Sequence, residues 1–391
     1  MKGSHMPGKS TAAMEWSGVT QGAPTVLITG TGHYLPGEPV ETAMLADRWP
    51  EIPVDTLMRY FGIESRHLVI DPRTGERATV EVDGVKVPLG TTEMAAQAAL
   101  KAMAAAGISV DEVDLVITNS TTPDMTLHPV TLLLQRRLGF GDVQMIDLRG
   151  GCAAGIQALA IATMMVRSSQ AKTVLLAGSE CTSPFYFRKL QVETKTPSMS
   201  DVLNGLLFAD GAGAVIVQEM SVARPGAECV LCVGYTGTRS CFPHEKPGFE
   251  LHPKPGGGVD TCHNHRAIRR TLPRVVVRAY EELARFGIGT PDEYDLVIVP
   301  QVNRSMIEMV TGRMDTIDDR LFYIGNQTGN VPAAAMMMAL DMAHRRGRLP
   351  PRGTIGVVSV ETTSWMFAVA EFTVFEHSLS GDRMRVREAL G

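Results

Sequence analysis

Six cysteines in 391 residues (Cys152, Cys181, Cys229, Cys232, Cys241 and Cys262) are too few for a disulfide framework and fit a reducing compartment, the cytoplasm. No run of 18 or more uncharged apolar residues occurs, so no membrane span is expected, and no secretory apolar segment precedes the first strand. The 37 basic and 42 acidic residues leave a net charge of −5, which gives no basic field for nucleic acid. Cys229 and Cys232 form a C-x-x-C, yet the surrounding ECVLCVGY reads as a strand with no second ligand pair, so core packing is expected and no metal. What the chain does have is apolar mass. Hydrophobic residues make up 44% against 20% charged, enough for a large core.

Its apolar runs alternate between strand and helix patterns. Residues 25–31, 114–119, 143–148, 173–179 and 208–217 read as strands, that at 143–148 short and buried. Residues 91–106 form an amphipathic helix with Thr91 or Thr92 as its capping start, and residues 71–88 carry the turn signals of a hairpin. The second half repeats the plan: strands at 228–234, 295–299, 356–360 and 367–375, and helices at 267–286 and 331–346. The fold class is therefore α/β, with two stacked halves sharing a helical layer. Residues 1–23, which open MKGSHM, are set aside as a tag remnant and disordered N-terminus. The halves fall at 24–222 and 223–378, and residues 379–391 form a tail. The G-x-G at Gly211 and Gly213 is weak as a phosphate signal and better suited to close packing.

One stretch carries chemistry. In VQMIDLRGGCAAGIQALAIATMM a strand ends at Leu148, Arg149-Gly150-Gly151 turns, and a helix starts at Ala153, leaving Cys152 at the joint. Helix N-terminal N–H groups favour a thiolate there and can also hold an oxyanion. A small buried packing cysteine would fit the same place. The residues of this stretch alone leave both open.

Several motifs in order resemble the ketoacyl synthase III branch of the thiolase-like condensing enzymes. They are TGTGHYLPGE, FGIESRH, TPDMTLHP, DLRGGCAAG (resembling D-x-x-x-A-C-A-G), ADGAGA, PQVNRSMI (resembling H-Q-A-N-x-R-I-I) and IGNQTGNVPAA (resembling H-G-N-T-S-A-A-S-V-P). The resemblance covers most of residues 26–375. It implies a thiolase-like fold of two duplicated α-β-α halves in five layers, a homodimer, and Cys152 as an acyl-accepting nucleophile. It also implies Asn326 as the catalytic asparagine, in a loop one residue shorter than the family's. It implies Gly151 and Ala153, with Thr362 in the turn between the strands at 356–360 and 367–375, as the turn positions for an oxyanion.

Where the family has its catalytic histidine this chain has Pro300, which offers neither a side-chain donor nor an N–H. Three substitutes stand against simpler roles. His128 of the TPD loop would reach a partner's pocket, or merely line one. Glu361, in VSVETTSW where the family has a triple-glycine turn, would act as a base, or pair with arginine or backbone. Gln301 would donate an amide hydrogen bond, or sit at a surface or interface. The family's adenine-stacking tryptophan is also missing, with Tyr60 and Phe61 nearby. An acyl-carrier-protein thioester is thus expected as donor over coenzyme A, Arg188 and Lys189 being candidate contacts for an acidic carrier.

The function expected first is an acyltransferase of specialised (polyketide or fatty-acyl) metabolism that acylates Cys152 and passes the acyl group to a small-molecule acceptor. It needs no resident cofactor, since the phosphopantetheine or coenzyme A thioester is a substrate. A decarboxylative carbon–carbon condensing enzyme with an altered constellation comes next. A non-catalytic partner subunit, which the retained Cys152 and Asn326 argue against, comes third.

Overall fold

Ten strands build one mixed sheet whose two ends repeat each other. They are β1 (Val26–Tyr34), β2 (Leu115–Asn119), β3 (Gln144–Leu148), β4 (Thr173–Glu180), β5 (Gly211–Glu219), β6 (Leu231–Ser240), β7 (Leu296–Ile298), β8 (Leu321–Phe322), β9 (Gly353–Glu361) and β10 (Met366–Val374). Their spatial order is β8-β7-β9-β10-β6-β1-β5-β4-β2-β3. The computed structural model describes residues 23–46, 53, 56, 61–188, 199–253, 259–285, 293–311 and 319–374. Residues 1–22 of the tag segment expected at 1–23, the tail at 379–391, Tyr60 and Lys189 lie outside them.

β1 and β6 meet through only Leu27↔Cys232 and Ile28↔Leu231, so the sheet is two five-stranded halves joined at a narrow seam. Outward from the seam each half runs through two antiparallel pairs and then two parallel ones. Parallel pairs need crossover helices, and these form the remaining layers. α1 (Thr91–Ala106) covers the outer face of β1, β5 and β4, while α2 (Val130–Leu138) follows the TPD loop. α3 (Ala154–Arg167) and α7 (Ala335–Arg345) lie between the halves. α4 (Met199–Leu207), α5 (His265–Arg285) and α6 (Arg304–Thr311) are the other described helices of eight or more residues, α5 on the outer face of β10 and β9. The result is the five-layered thiolase-like arrangement.

The central helices can be flush with the strands because the sequence is small there. Ala158 and Ala162 of α3 are fully buried, and Met336, Met337 and Met338 of α7 fill the gaps between layers. A Cβ on Gly213 would stand 2.7 Å from the Met338 backbone N, so this glycine serves close packing of α7 on β5. Cys229 and Cys232 are likewise core residues, 1% and 4% exposed.

Four expectations change. The strand at 143–148 is not buried: β3 is the outer edge of its half and alternates toward solvent, with Met145 42% exposed. The cap of α1 is not Thr91 or Thr92. Asp124, more than thirty residues on, accepts from the Thr91 N–H (2.9 Å) and the Thr92 N–H (2.7 Å), tying the TPD loop to the helix start. The strand expected at 228–234 begins at Leu231 and runs on to Ser240. The helix expected at 331–346 opens as a 3₁₀ turn over Pro332–Ala334 before α7. The hairpin within 71–88 is present, Thr79–Val82 against Val85–Pro88, turning through Asp83 and Gly84, both at positive φ.

Candidate active site

The nucleophile turn is held from two strands. The Asn119 side-chain oxygen at the end of β2 accepts from the Gly150 N–H (3.2 Å), and the Ser359 hydroxyl on β9 donates to the Cys152 carbonyl (2.7 Å). The Ala154 N–H closes back on the Gly151 carbonyl (3.1 Å), starting α3 with Ala153 fully buried just ahead of it. Cys152 is half-buried, and one side of it packs on the aromatic-rich cluster that includes Tyr186, Phe208 and Trp365.

Burial pushes the Cys152 thiol well above its ordinary range, the Glu361 carboxylate raises it further, and Glu180 adds to the effect. A hydrogen bond from the Asn330 side chain and one from the residue's own backbone pull the other way, and they lose. Cys152 at rest is therefore a thiol, and nucleophilic chemistry there would need a base.

Glu361 is in place for that. A Cβ on Gly151 would lie 2.9 Å from the Glu361 Cδ and 3.1 Å from Oε1, and closer still to Oε2. The carboxylate thus rests on the bare Cα of the residue preceding the nucleophile. Its Oε1 accepts from the Thr363 N–H (3.1 Å) and hydroxyl (2.9 Å), while Oε2 is buried with no hydrogen-bond partner among the described residues.

The asparagine whose side chain hydrogen-bonds the thiol is Asn330, whereas the sequence expectation placed Asn326 there. Its backbone is fixed by the Ala209 N–H donating to its carbonyl (2.9 Å) and its own N–H donating to Leu207 (3.0 Å), and Gly329 turns into it at positive φ. Asn326 is used through its backbone, whose carbonyl accepts from the Glu64 N–H (2.7 Å). With one residue fewer between asparagine and proline, the loop presents a later side chain to the sulfur. The FGIESRH segment underpins that loop. The Ser65 hydroxyl donates to the Gln327 carbonyl (2.9 Å), and fully buried Arg66 donates to the Gly205 carbonyl (2.9 Å) and the Thr42 hydroxyl (2.6 Å).

Gln301 is no substitute donor. Its amide donates to the carbonyls of Val299 (2.6 Å) and Phe322 (3.0 Å), and its oxygen accepts from the Ile324 N–H (2.7 Å), so all its bonds stitch β7, β8 and the asparagine loop together. His128 is exposed at positive φ, and no contact among the described residues joins it to Cys152. Thr362 serves through its carbonyl, which accepts from the Gly248 N–H (2.9 Å). Sequence reasoning misses Glu180. Fully buried at the end of β4, it accepts from the Thr121 and Thr122 hydroxyls (2.8 and 2.5 Å), and burial lifts it to about 7. An acidic residue closing an otherwise apolar strand is its only signal.

Two family models match in tandem: 3-oxoacyl-[acyl-carrier-protein] synthase III over residues 146–231 and its C-terminal domain over residues 286–369. The chain is 30% identical to the beta-ketoacyl-[acyl-carrier-protein] synthase III of Xanthomonas campestris pv. campestris (strain 8004), over 82% of this chain and 90% of that one. The chain belongs to the 3-oxoacyl-[acyl-carrier-protein] synthase III family. Among solved structures, this synthase III homologue is similar to AbyA1, a tetronic acid condensing enzyme, at 26% identity and TM-score 0.74 over 89% of this chain and 99% of that one. Xanthomonas campestris OleA, at 18% identity and TM-score 0.75 over 89% and 98%, shares the fold. The family consists of acyl-group transferases of the thiolase-like condensing type.

Proposed function

We propose that the chain takes an acyl group from an acyl-carrier-protein thioester, holds it on Cys152, and passes it to a small-molecule acceptor whose proton Glu361 removes. The observation that carries this is the Glu361 carboxylate seated on Gly151 beside the thiol, in a site where Pro300 replaces the histidine of the resembling motif. In acylation Sγ attacks the donor carbonyl, the bond to the carrier sulfur breaks, and the Cys152 proton passes through Glu361 to the departing thiol. Backbone N–H groups of the turn around Gly151 and Ala153 are proposed to hold the oxyanion. The phosphopantetheine or coenzyme A portion belongs to the substrate, so the scheme calls for no resident cofactor.

The proposed setting is the cytoplasm, in polyketide or fatty-acyl specialised metabolism. No described helix is long and apolar enough to cross a membrane. A homodimer would suit the exposed β3 edge with Met145 and the exposed apolar side chains Met125 (50% exposed) and Leu127 (81% exposed) of the loop that carries His128. Decarboxylative condensation is the second reading, supported by similarity to a tetronic acid condensing enzyme.

Intact-protein mass spectrometry after incubation with an acyl-carrier thioester tests the scheme. An adduct on Cys152 that is absent in Cys152→Ala supports it, and full turnover by Cys152→Ala ends it. Release of carbon dioxide from a malonyl thioester, stoichiometric with product, selects condensation.

A further inference from the structure

Beside Cys152 the protein leaves two buried acceptor oxygens unmatched. Glu361 and Asn330 are 5% and 3% exposed, and both adjoin Cys152. Each keeps one buried oxygen, Glu361 Oε2 and Asn330 Oδ1, without a hydrogen-bond partner among the described residues. The Asn330 amide group is already turned to the thiol. An unmatched buried acceptor costs about 1–3 kcal/mol, so two at one site call for a ligand that supplies hydrogen. A thioester enolate brings only an oxyanion, which the Glu361 carboxylate repels and Pro300 cannot stabilise.

We infer that the acyl acceptor is a hydroxyl compound, and that the product is an oxygen ester. This rests on the acyl-enzyme reading above. The acceptor O–H donates to Glu361 Oε2. Its oxygen attacks the Cys152 thioester carbonyl and forms the new C–O bond while its proton moves to Glu361. The tetrahedral intermediate then expels the Cys152 sulfur, and Glu361 returns the proton to it. The balance is one alcohol and one acyl-cysteine giving one ester and one free thiol, with no oxidant or further reactant. A protonated amine fits less well, because an ion pair with Glu361 would hold it in its non-nucleophilic form.

Full-length enzyme is loaded to completion with a hexanoyl-pantetheine thioester and followed by intact mass. It is then chased separately with a panel of primary alcohols, with their methyl ethers, with butylamine and with malonyl-pantetheine. The expected result is discharge of acyl-Cys152 by at least one alcohol with the hexanoate ester as product, none by its methyl ether, and discharge roughly 100-fold slower in fully loaded Glu361→Gln. Discharge by malonyl-pantetheine with carbon dioxide release, discharge by butylamine alone, or no discharge by any probe overturns the hydroxyl acceptor and leaves the acyl-enzyme standing. Failure of Cys152 to load at all removes the acyl-enzyme reading itself, so the two failures are distinct.

Discussion

Gly151→Ala tests the base through a single methyl group. Gly151 is not at positive φ, so alanine suits the backbone, but its Cβ would be 2.9 Å from the Glu361 Cδ and closer to Oε2. Glu361 is anchored in β9 by its pairing with Met366, and its Oε1 is held by Thr363. The carboxylate must therefore retreat by roughly 1 Å, straining the Thr363 bonds, while Cys152 stays on its turn. A displacement of that size at a reacting group costs about 10²-fold in rate, or about 2.7 kcal/mol in the barrier. The thiol should respond in the opposite sense. With the carboxylate pushed back, the like charge that holds the thiol up weakens, and iodoacetamide labelling of Cys152 should move to lower pH. Single-turnover transfer from acyl-Cys152 and the pH profile of labelling together give the signature: slower transfer, readier alkylation. If both rates fell together in a variant of unchanged melting temperature, or if neither changed, Glu361 would not be the base.

Asn330→Ala should push labelling of Cys152 to higher pH by removing the donor that favours the thiolate, whereas Asn326→Ala should leave the labelling profile unchanged; the same iodoacetamide assay reads both. Gln301→Ala should lower stability by about 3 kcal/mol, because the carbonyls of Val299 and Phe322 and the Ile324 N–H lose their partner, seen as a lower calorimetric midpoint. Glu180 has a folded pKa of about 7 against an ordinary 4.5, so the folded state binds its proton more tightly. Its contribution is full below about pH 4.5 and is lost as pH rises through 7, a span of about 3 kcal/mol, and Glu180→Gln should flatten denaturant-measured stability across that window.

Periodicity is enough to place the two halves, because strands buried on both faces read as continuous Val, Ile and Leu, and helices as Ala-rich as these are thin enough to pack between two sheets. β3 misleads for the same reason. MIDL has the composition of an inner strand, and only its place at the end of the order exposes it. Asp124 as the cap of α1 and Gln301 as the stitch between β7 and β8 are long-range bonds that no local pattern announces. Motif matching selects Asn326 in a loop with a deletion, where counting from the asparagine and counting back from Pro332 arrive at different residues. Glu361 has a legible signal, in a pair of positions that must be taken together. The nucleophile motif has alanine where this chain has Gly151, and the far turn has glycine where this chain has Glu361. The methyl given up on one element is the space the carboxylate occupies from the other.

That exchange would also order the steps of the proposed acyl transfer. A carboxylate beside a buried thiol opposes the thiolate, which handicaps the free enzyme, but a thioester sulfur carries no charge and feels no such penalty. Acylation therefore relieves the electrostatic conflict, and the acyl-enzyme becomes the comfortable state of the site. Breaking it down would restore the conflict, because the departing sulfur must carry negative charge next to Glu361. The conflict vanishes only when Glu361 has just been neutralised by a proton, and the incoming acceptor is the source of that proton. On the proposed scheme departure of sulfur would thus be coupled to arrival of a proton-bearing acceptor, and an acyl group would wait on Cys152 until that acceptor hands its hydrogen to Glu361.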